Sequence, residues 1–299
     1  MAVKGNAMGF SDFVQLVVAG LSSGSIYALV GLGLVLANKG TGILNFAQGE
    51  LVALGAYIAL FYSIVVGLPY WQVFILTLLT TAIIGGIMER ALLRPLLGAP
   101  HFTVVVATLA IGLIIKNALR ISWQEAVSTF SSPLDHLVLQ IGGININPQY
   151  AWITGCSLAI MGMLALFFRK NLVGKAMQAV AQNTSAAQLM GIRVSRIFTL
   201  TLAVSTALAA LAGILMTPVV GVSAEMSNVI LKGFVAAILG GFNSLFGCLI
   251  GGLILGLLEI FGGVYFGGLF KDITAFVLLM FILLVRPHGI FGTAEARRV

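Results

Sequence analysis

The chain of 299 residues is 60% hydrophobic and only 8% charged, against about 25% charged in a typical soluble domain. Its apolar runs reach the roughly 20 residues that cross a bilayer as helix and lack the ten-residue alternation of a transmembrane strand, which excludes a soluble enzyme and an outer-membrane barrel. The net charge of +7 lies in loops and at the C-terminus, where membrane topology accounts for it and nucleic-acid binding need not.

The first twelve residues carry Lys4 and Asp12. The long Gly/Ser-rich apolar stretch behind them has no obvious small-residue cleavage site and reads as a retained first helix. Predicted spans follow at 13–37, 43–66, 71–88, 101–119, 150–168 and 197–221, then a Gly-rich region at 228–266 and a last span at 272–286. The expectation is an all-α polytopic bundle of eight or nine transmembrane segments, one membrane domain over 1–299. Segment 89–100 holds Arg90 and Arg94 against Glu89, and segment 121–149 holds Glu125 and Asp135 with no Lys or Arg. Segment 169–196 holds five basic residues and no acid, and the tail has Arg286, Arg297 and Arg298 against Glu295. The positive-inside rule puts 89–100, 169–196 and the C-terminus in the cytoplasm, and 121–149 and the N-terminus outside. Region 228–266 reads as two short crossings or as one crossing plus a re-entrant piece, and a cytoplasmic C-terminus favours the two crossings, nine in all. The outer segment, with Trp123, Pro133, Asn145, Asn147 and Pro148, reads as a short docking ledge.

Gly20-x-x-x-Gly24, Gly247-x-x-x-Gly251 and Gly252-x-x-x-Gly256 signal close helix–helix approach, since small residues four apart stack on one helix face. A faint internal echo relates 31–57 to 240–266, each Gly-rich and passing through an Asn, Asn45 and Asn243. Cys156 and Cys248 lie in apolar runs and read as small hydrophobes.

Acids inside a span usually face a cavity or a partner. Glu50 closes the run Asn45-Phe46-Ala47-Gln48-Gly49, which makes Asn45, Gln48 and Glu50 candidate pathway residues. On a continuous helix Gln48 and Glu50 diverge by about 200°, so both line one path only if the helix breaks at Gly49. A hydrated position near the membrane surface, close to Lys39, is the competing reading. Glu259 is a further pathway candidate, or half of a buried ion pair with Lys232, which could equally snorkel. Lys116 reads as snorkelling at the outer end of its span. His101, His136 and His288 are scattered, and no cluster has metal-ligand spacing. Neither a nucleophile elbow nor a phosphate-binding Gly-x-x-x-x-Gly-Lys-Ser/Thr pattern occurs, so this chain is expected to bind no cofactor and hydrolyse no nucleotide.

The stretch from Gly174 to Ile192 is polar-studded and Ala-rich in an otherwise apolar chain. Ser185-x-x-Gln188 has the form of a capping box, so a helix is expected to break near Asn183-Thr184 and a new one to start at Ser185, with Ala186 and Ala187 on its surface and Gly191 as its stop. Lys175, Ser185, Ala186, Ala187, Gln188 and Gly191 thus form a candidate docking surface. An ordinary cytosolic loop is the alternative.

Three stretches carry a family resemblance. They are Gly24-Ser25-Ile26-Tyr27-Ala28-Leu29 running on to Leu44-Asn45-Phe46-Ala47-Gln48-Gly49-Glu50 and Leu54-Gly55-Ala56-Tyr57; Ala179-Val180-Ala181-Gln182-Asn183 with Ala186-Ala187-Gln188-Leu189-Met190-Gly191-Ile192; and Gly240-Gly241 through Gly247 and Gly251 to Val285-Arg286-Pro287-His288-Gly289-Ile290-Phe291-Gly292. With them the chain resembles the inner-membrane permease subunits of ATP-binding-cassette importers for branched-chain amino acids, the LivH type. It departs from that pattern at Gln48, where the family commonly has His, and at Ser185, where it commonly has an acid. The resemblance implies an ABC importer permease fold in a bacterial inner membrane. It also implies two ATPase subunits that use ATP and Mg, a second related permease and an extracytoplasmic substrate-binding protein, with 169–196 as the coupling loop. Permeases for urea or short amides share these motifs, and a stand-alone channel or ion-coupled carrier is the contrasting class.

Overall fold

The computed structural model describes residues 9–42, 44–96, 98–123, 129–130, 132–134, 139–141, 144–286 and 288–292. Much of the proposed outer ledge, and Glu295, Arg297 and Arg298 of the tail, lie outside the described residues. Local chemistry sets the helix ends. Helix α1 (Phe10–Thr41) stops at Gly42, whose φ of 71° supplies the left-handed C-cap. It is followed by α2 (Gln48–Leu60), α3 (Tyr70–Met88) and α4 (His101–Ser122). A two-stranded antiparallel ribbon, β1 (Leu139–Ile141) with β2 (Ile144–Ile146), precedes α5 (Pro148–Lys170). Helix α5 starts with Pro148 in its first turn and with the Asn147 side-chain oxygen accepting from Gln149 N at 2.9 Å. Short helices α6 (Leu172–Gln182) and α7 (Thr184–Leu189) lead to α8 (Val194–Val220), α9 (Val229–Gly240), α10 (Leu245–Phe266) and α11 (Gly268–Val285).

Directions follow from neighbours. Gly20 packs on Leu257, Gly24 on Gly252 and Gly31 on Cys248, so α1 and α10 are antiparallel. Gly240 on Gly247 and Gly251 on Ala236 make α9 antiparallel to α10. Region 228–266 thus holds two separate antiparallel helices, α9 and α10. Helix α9 differs from a simple span, because it has only 12 residues, about 18 Å of helix. The 3-10 turn Ala224–Asn228 leads into it. Seven helices among the described residues are long and apolar enough to cross a membrane.

Helix α1 is the axis of the bundle, buried almost without interruption from Gly24 to Ala37. The predicted glycine motifs explain how. Helix α10 turns Gly252 and Gly256 to Gly24 and Gly20 of α1, and Gly247 and Gly251 to α9. A Cβ on Gly24 would stand 2.6 Å from Gly252 O, so backbones meet without side chains between them. Cys248 is buried in the same seam. After α11 the chain returns to α9. Ile290 N donates to Leu239 O at 2.9 Å and Phe291 N to Gly240 O at 3.0 Å, which satisfies carbonyls that a helix end leaves unpaired.

The two ends differ in chemistry. Trp71, Trp123 and Trp152 lie at one, with Tyr57 against Trp123 at 5.4 Å, Trp71 against Trp152 at 5.5 Å, and Trp152 Nε1 donating to Tyr70 Oη at 3.2 Å. Such rings favour a membrane–water interface. Arg90, Arg94, Arg169, Lys170, Lys175, Arg193 and Arg196 gather at the other.

Candidate functional site

At the basic end, α6 and α7 form a bent pair. Gly174, Met177 and Val180 are the buried face of α6, while Lys175 and Gln178 are exposed. A Cβ on Gly174 would meet the backbone of Phe168 at 2.8 Å, so glycine lets α6 fold back on the end of α5. The cap of α7 is not Ser185 as expected. Asn183 takes that place, its Oδ1 accepting from Ala186 N at 2.9 Å, and Ser185 lies exposed inside the first turn. Asn is as good an N-cap as Ser, and it stands two residues earlier, which moves the helix start. A second correction concerns Ala187: it is 4% exposed and packs inward. Ala186 and Gln188 face outward, followed by Leu189 at 89% and Met190 at 82% exposure. Gly191, with φ of 81°, ends the element, and Ile192 N donates back to Ala187 O at 3.0 Å.

Among the intramembrane candidates, Gln48 and Glu50 diverge on an unbroken α2. Gln48 is 0% exposed. Its Nε2 donates to Ser205 O at 2.9 Å, and Ser205 Oγ bonds to Gly33 O at 2.8 Å and to Gln48 Oε1 at 3.1 Å. It ties α1, α2 and α8 together, with Gly33 making room for the amide. Asn45 is buried too. Its Oδ1 accepts from Ala47 N at 3.2 Å, at the start of α2, and its Nδ2 has no partner among the described residues. Glu50 turns the other way, toward α4, where it is half-buried beside Gly112. Glu259 is fully buried, with Lys232 Nζ at 2.8 Å and Lys271 Nζ at 3.7 Å from its Oε1. Lys232 Nζ also stands 5.6 Å from the centre of the Tyr27 ring. Glu259 therefore joins α9, α10, α11 and α1.

Two clusters had no clear signal in the sequence. Lys116 does more than snorkel: its Nζ donates to Glu225 Oε2 at 3.3 Å, and Arg120 and Asn228 bond the same carboxylate. Glu89, buried between α3 and α8, accepts two bonds from Arg94, at 3.1 and 2.8 Å, and one from Thr199 at 2.8 Å. Arg94 also reaches Ser195 O at 3.4 Å, near the start of α8. Partners 105 to 110 residues apart cannot be paired from one sequence.

Comparison with known proteins agrees with this architecture. Residues 16–285 match the family described as branched-chain amino acid transport system / permease component. The chain is 32% identical to the high-affinity branched-chain amino acid transport system permease protein BraD of Pseudomonas aeruginosa, over 96% of this chain and 98% of that one. It is 29% identical to LivH of Escherichia coli, likewise a high-affinity branched-chain amino acid transport system permease protein, over 97% and 99%. Among solved structures, a chain of PsaBC from Streptococcus pneumoniae in complex with Fab shares the fold, with a TM-score of 0.50, 18% identity and 92% of each chain covered. The spans, their order and these matches make this chain a member of the branched-chain amino acid transport system permease family.

Proposed function

We propose that this chain imports branched-chain amino acids as one of two permease subunits in an ATP-driven importer, with two ATPases beneath it and an extracytoplasmic binding protein above. It is a single membrane domain whose coupling loop spans 169–196. The ATPases hold the ATP and Mg. The tryptophan end faces outward, and the arginine-rich end, with the tail at 286–292, faces the cytoplasm of a bacterial cell.

The observation that carries the reading is the α6–α7 pair at the basic end. It is held to the body by Gly174, Met177, Val180 and Ala187 and presents Leu189 and Met190 outward. Exposed apolar side chains on an ordered element outside the bilayer suit a groove on a partner protein. The Asn183 cap and the Gly191 stop fix their direction. A push on α7 passes directly into α8, three residues beyond Gly191. Arg94 then ties the start of α8 to Glu89 and α3.

Tagged protein purified in mild detergent is expected to bring down an ATPase and a second permease. Leu189→Asp is expected to remove the ATPase and abolish uptake while leaving membrane insertion intact. Recovery of a homo-oligomer that transports alone in liposomes would replace the importer reading with that of a channel or carrier. The outward Leu189 tests the surface better than Ala187, whose enlargement would disturb the bundle itself.

A further inference from the structure

Two irregular stretches of chain meet inside the bundle. One is the link between α1 and α2 together with the first turn of α2; the other is the 3-10 turn before α9. Gly49 packs directly on Ser227 O and Ile230, and Phe46 N is 3.3 Å from Thr108 Oγ1 on α4. Broken backbone at membrane depth is tolerated where protein or a water-filled cavity surrounds it. Glu50 stands at this junction. Gly112, which faces it, lies midway along α4, and a Cβ there would be 2.9 Å from Glu50 Oε2. The glycine leaves a notch for the carboxylate. Glu50 is half-buried and forms no ion pair among the described residues. A carboxylate at mid-depth needs water or a cation.

The cation beside it is already engaged. Lys116 is about one helical turn above Gly112, about 6 Å along the axis, and within electrostatic reach of Glu50. Its side chain is 18% exposed and bonded to Glu225, which is 56% exposed and shared with Arg120. On α4, Leu109, Leu113, Lys116 and Arg120 follow at steps of four, three and four, the spacing of one helix face. Leu109 and Leu113 are exposed.

We infer that this face is a way-station for a zwitterionic amino acid with an aliphatic side chain: Glu50 takes the cargo ammonium, Lys116 takes the carboxylate, and Leu109 and Leu113 meet the side chain. Glu225 holds Lys116 until cargo arrives and recovers it when cargo leaves. Arg120 keeps Glu225 charged and nearby during the exchange. The aliphatic stripe beside a matched pair of charges favours leucine-like cargo over a neutral amide, which offers no full charges to either group. The inference rests on the permease reading above.

The test uses the complete importer in proteoliposomes, with radiolabelled leucine uptake and binding-protein-stimulated ATP hydrolysis read together. Glu50→Gln and Lys116→Met are each expected to lower uptake about tenfold or more, equivalent to one lost charge-assisted contact, with ATP hydrolysis largely retained. Glu50→Asp and Lys116→Arg, which keep the charges, are expected to restore part of the uptake. Unaltered uptake in both charge-removing variants would overturn the way-station while leaving the importer reading intact. Parallel loss of uptake and hydrolysis with dissociation of the complex would also overturn it, by showing that the charges hold the assembly. No leucine uptake by the unmodified complex would overturn the cargo reading and the way-station together.

Discussion

Glu50 and Glu259 are both acids inside the bundle, and the fold treats them in opposite ways. Glu259 is sealed, with a lysine at 2.8 Å and glycine-lined backbones around its helix. Glu50 sits in a notch, half-buried, and Lys116 on the facing helix is held by another carboxylate. An acid with a fixed counter-charge and no exposure is used up as a structural tie. An acid left half-open without one remains available to a visiting cation.

The largest expected effect breaks the sealed pair. Glu259→Leu removes the buried carboxylate that Lys232 Nζ meets at 2.8 Å, and removing one partner of a buried pair costs about 3–5 kcal/mol. A marked fall in the thermal midpoint of the detergent-purified protein is expected, and Lys232→Leu added to it should recover much of the loss. An unchanged midpoint for Glu259→Leu would group Glu259 with Glu50.

Gly256→Val comes next. The new side chain would collide with backbone atoms of Gly24 and Gly20 on α1, which cannot rotate away. Overpacking of this kind costs about 1–3 kcal/mol or more, read again as a lower midpoint and a smaller yield of monodisperse protein. Tolerance of valine would mean that α1 and α10 slide apart readily, and that the sealed half of the comparison is looser than its contacts suggest.

The glycine seam was legible in the sequence because residues four apart must share a helix face, and only close approach explains so many of them. The half-length α9 was not, since an apolar Gly-rich run reads the same whether or not its helix is complete. The roles of the polar residues were harder still. Gln48 and Glu50 were correctly separated by helical geometry, yet which of them is consumed depends on Ser205, 157 residues away. Glu225 drew no attention because its meaning comes from Lys116 and Arg120 on a distant helix. Ser185 was mistaken for the cap because Asn183 is an equally good one. The inward face of Ala187 leaves no trace in the sequence, because six residues of helix are too few to show an inner face.

The smallest expected change in stability comes from Gly112→Ala, the counterpart of Gly256→Val. Here the obstacle is the far end of the Glu50 side chain, which can move, and not fixed backbone. Alanine also gains about 0.5–1 kcal/mol over glycine in a helix interior, which offsets the crowding. The thermal midpoint should therefore stay level or rise slightly. Uptake should fall severalfold nonetheless, because the displaced carboxylate no longer stands one turn below Lys116. A fall in uptake without a fall in stability would separate the two acids by function, just as burial and pairing separate them by structure. Unchanged uptake would mean that the position of the Glu50 carboxylate has no bearing on cargo, and the notch at Gly112 would then be a packing detail like those along α1.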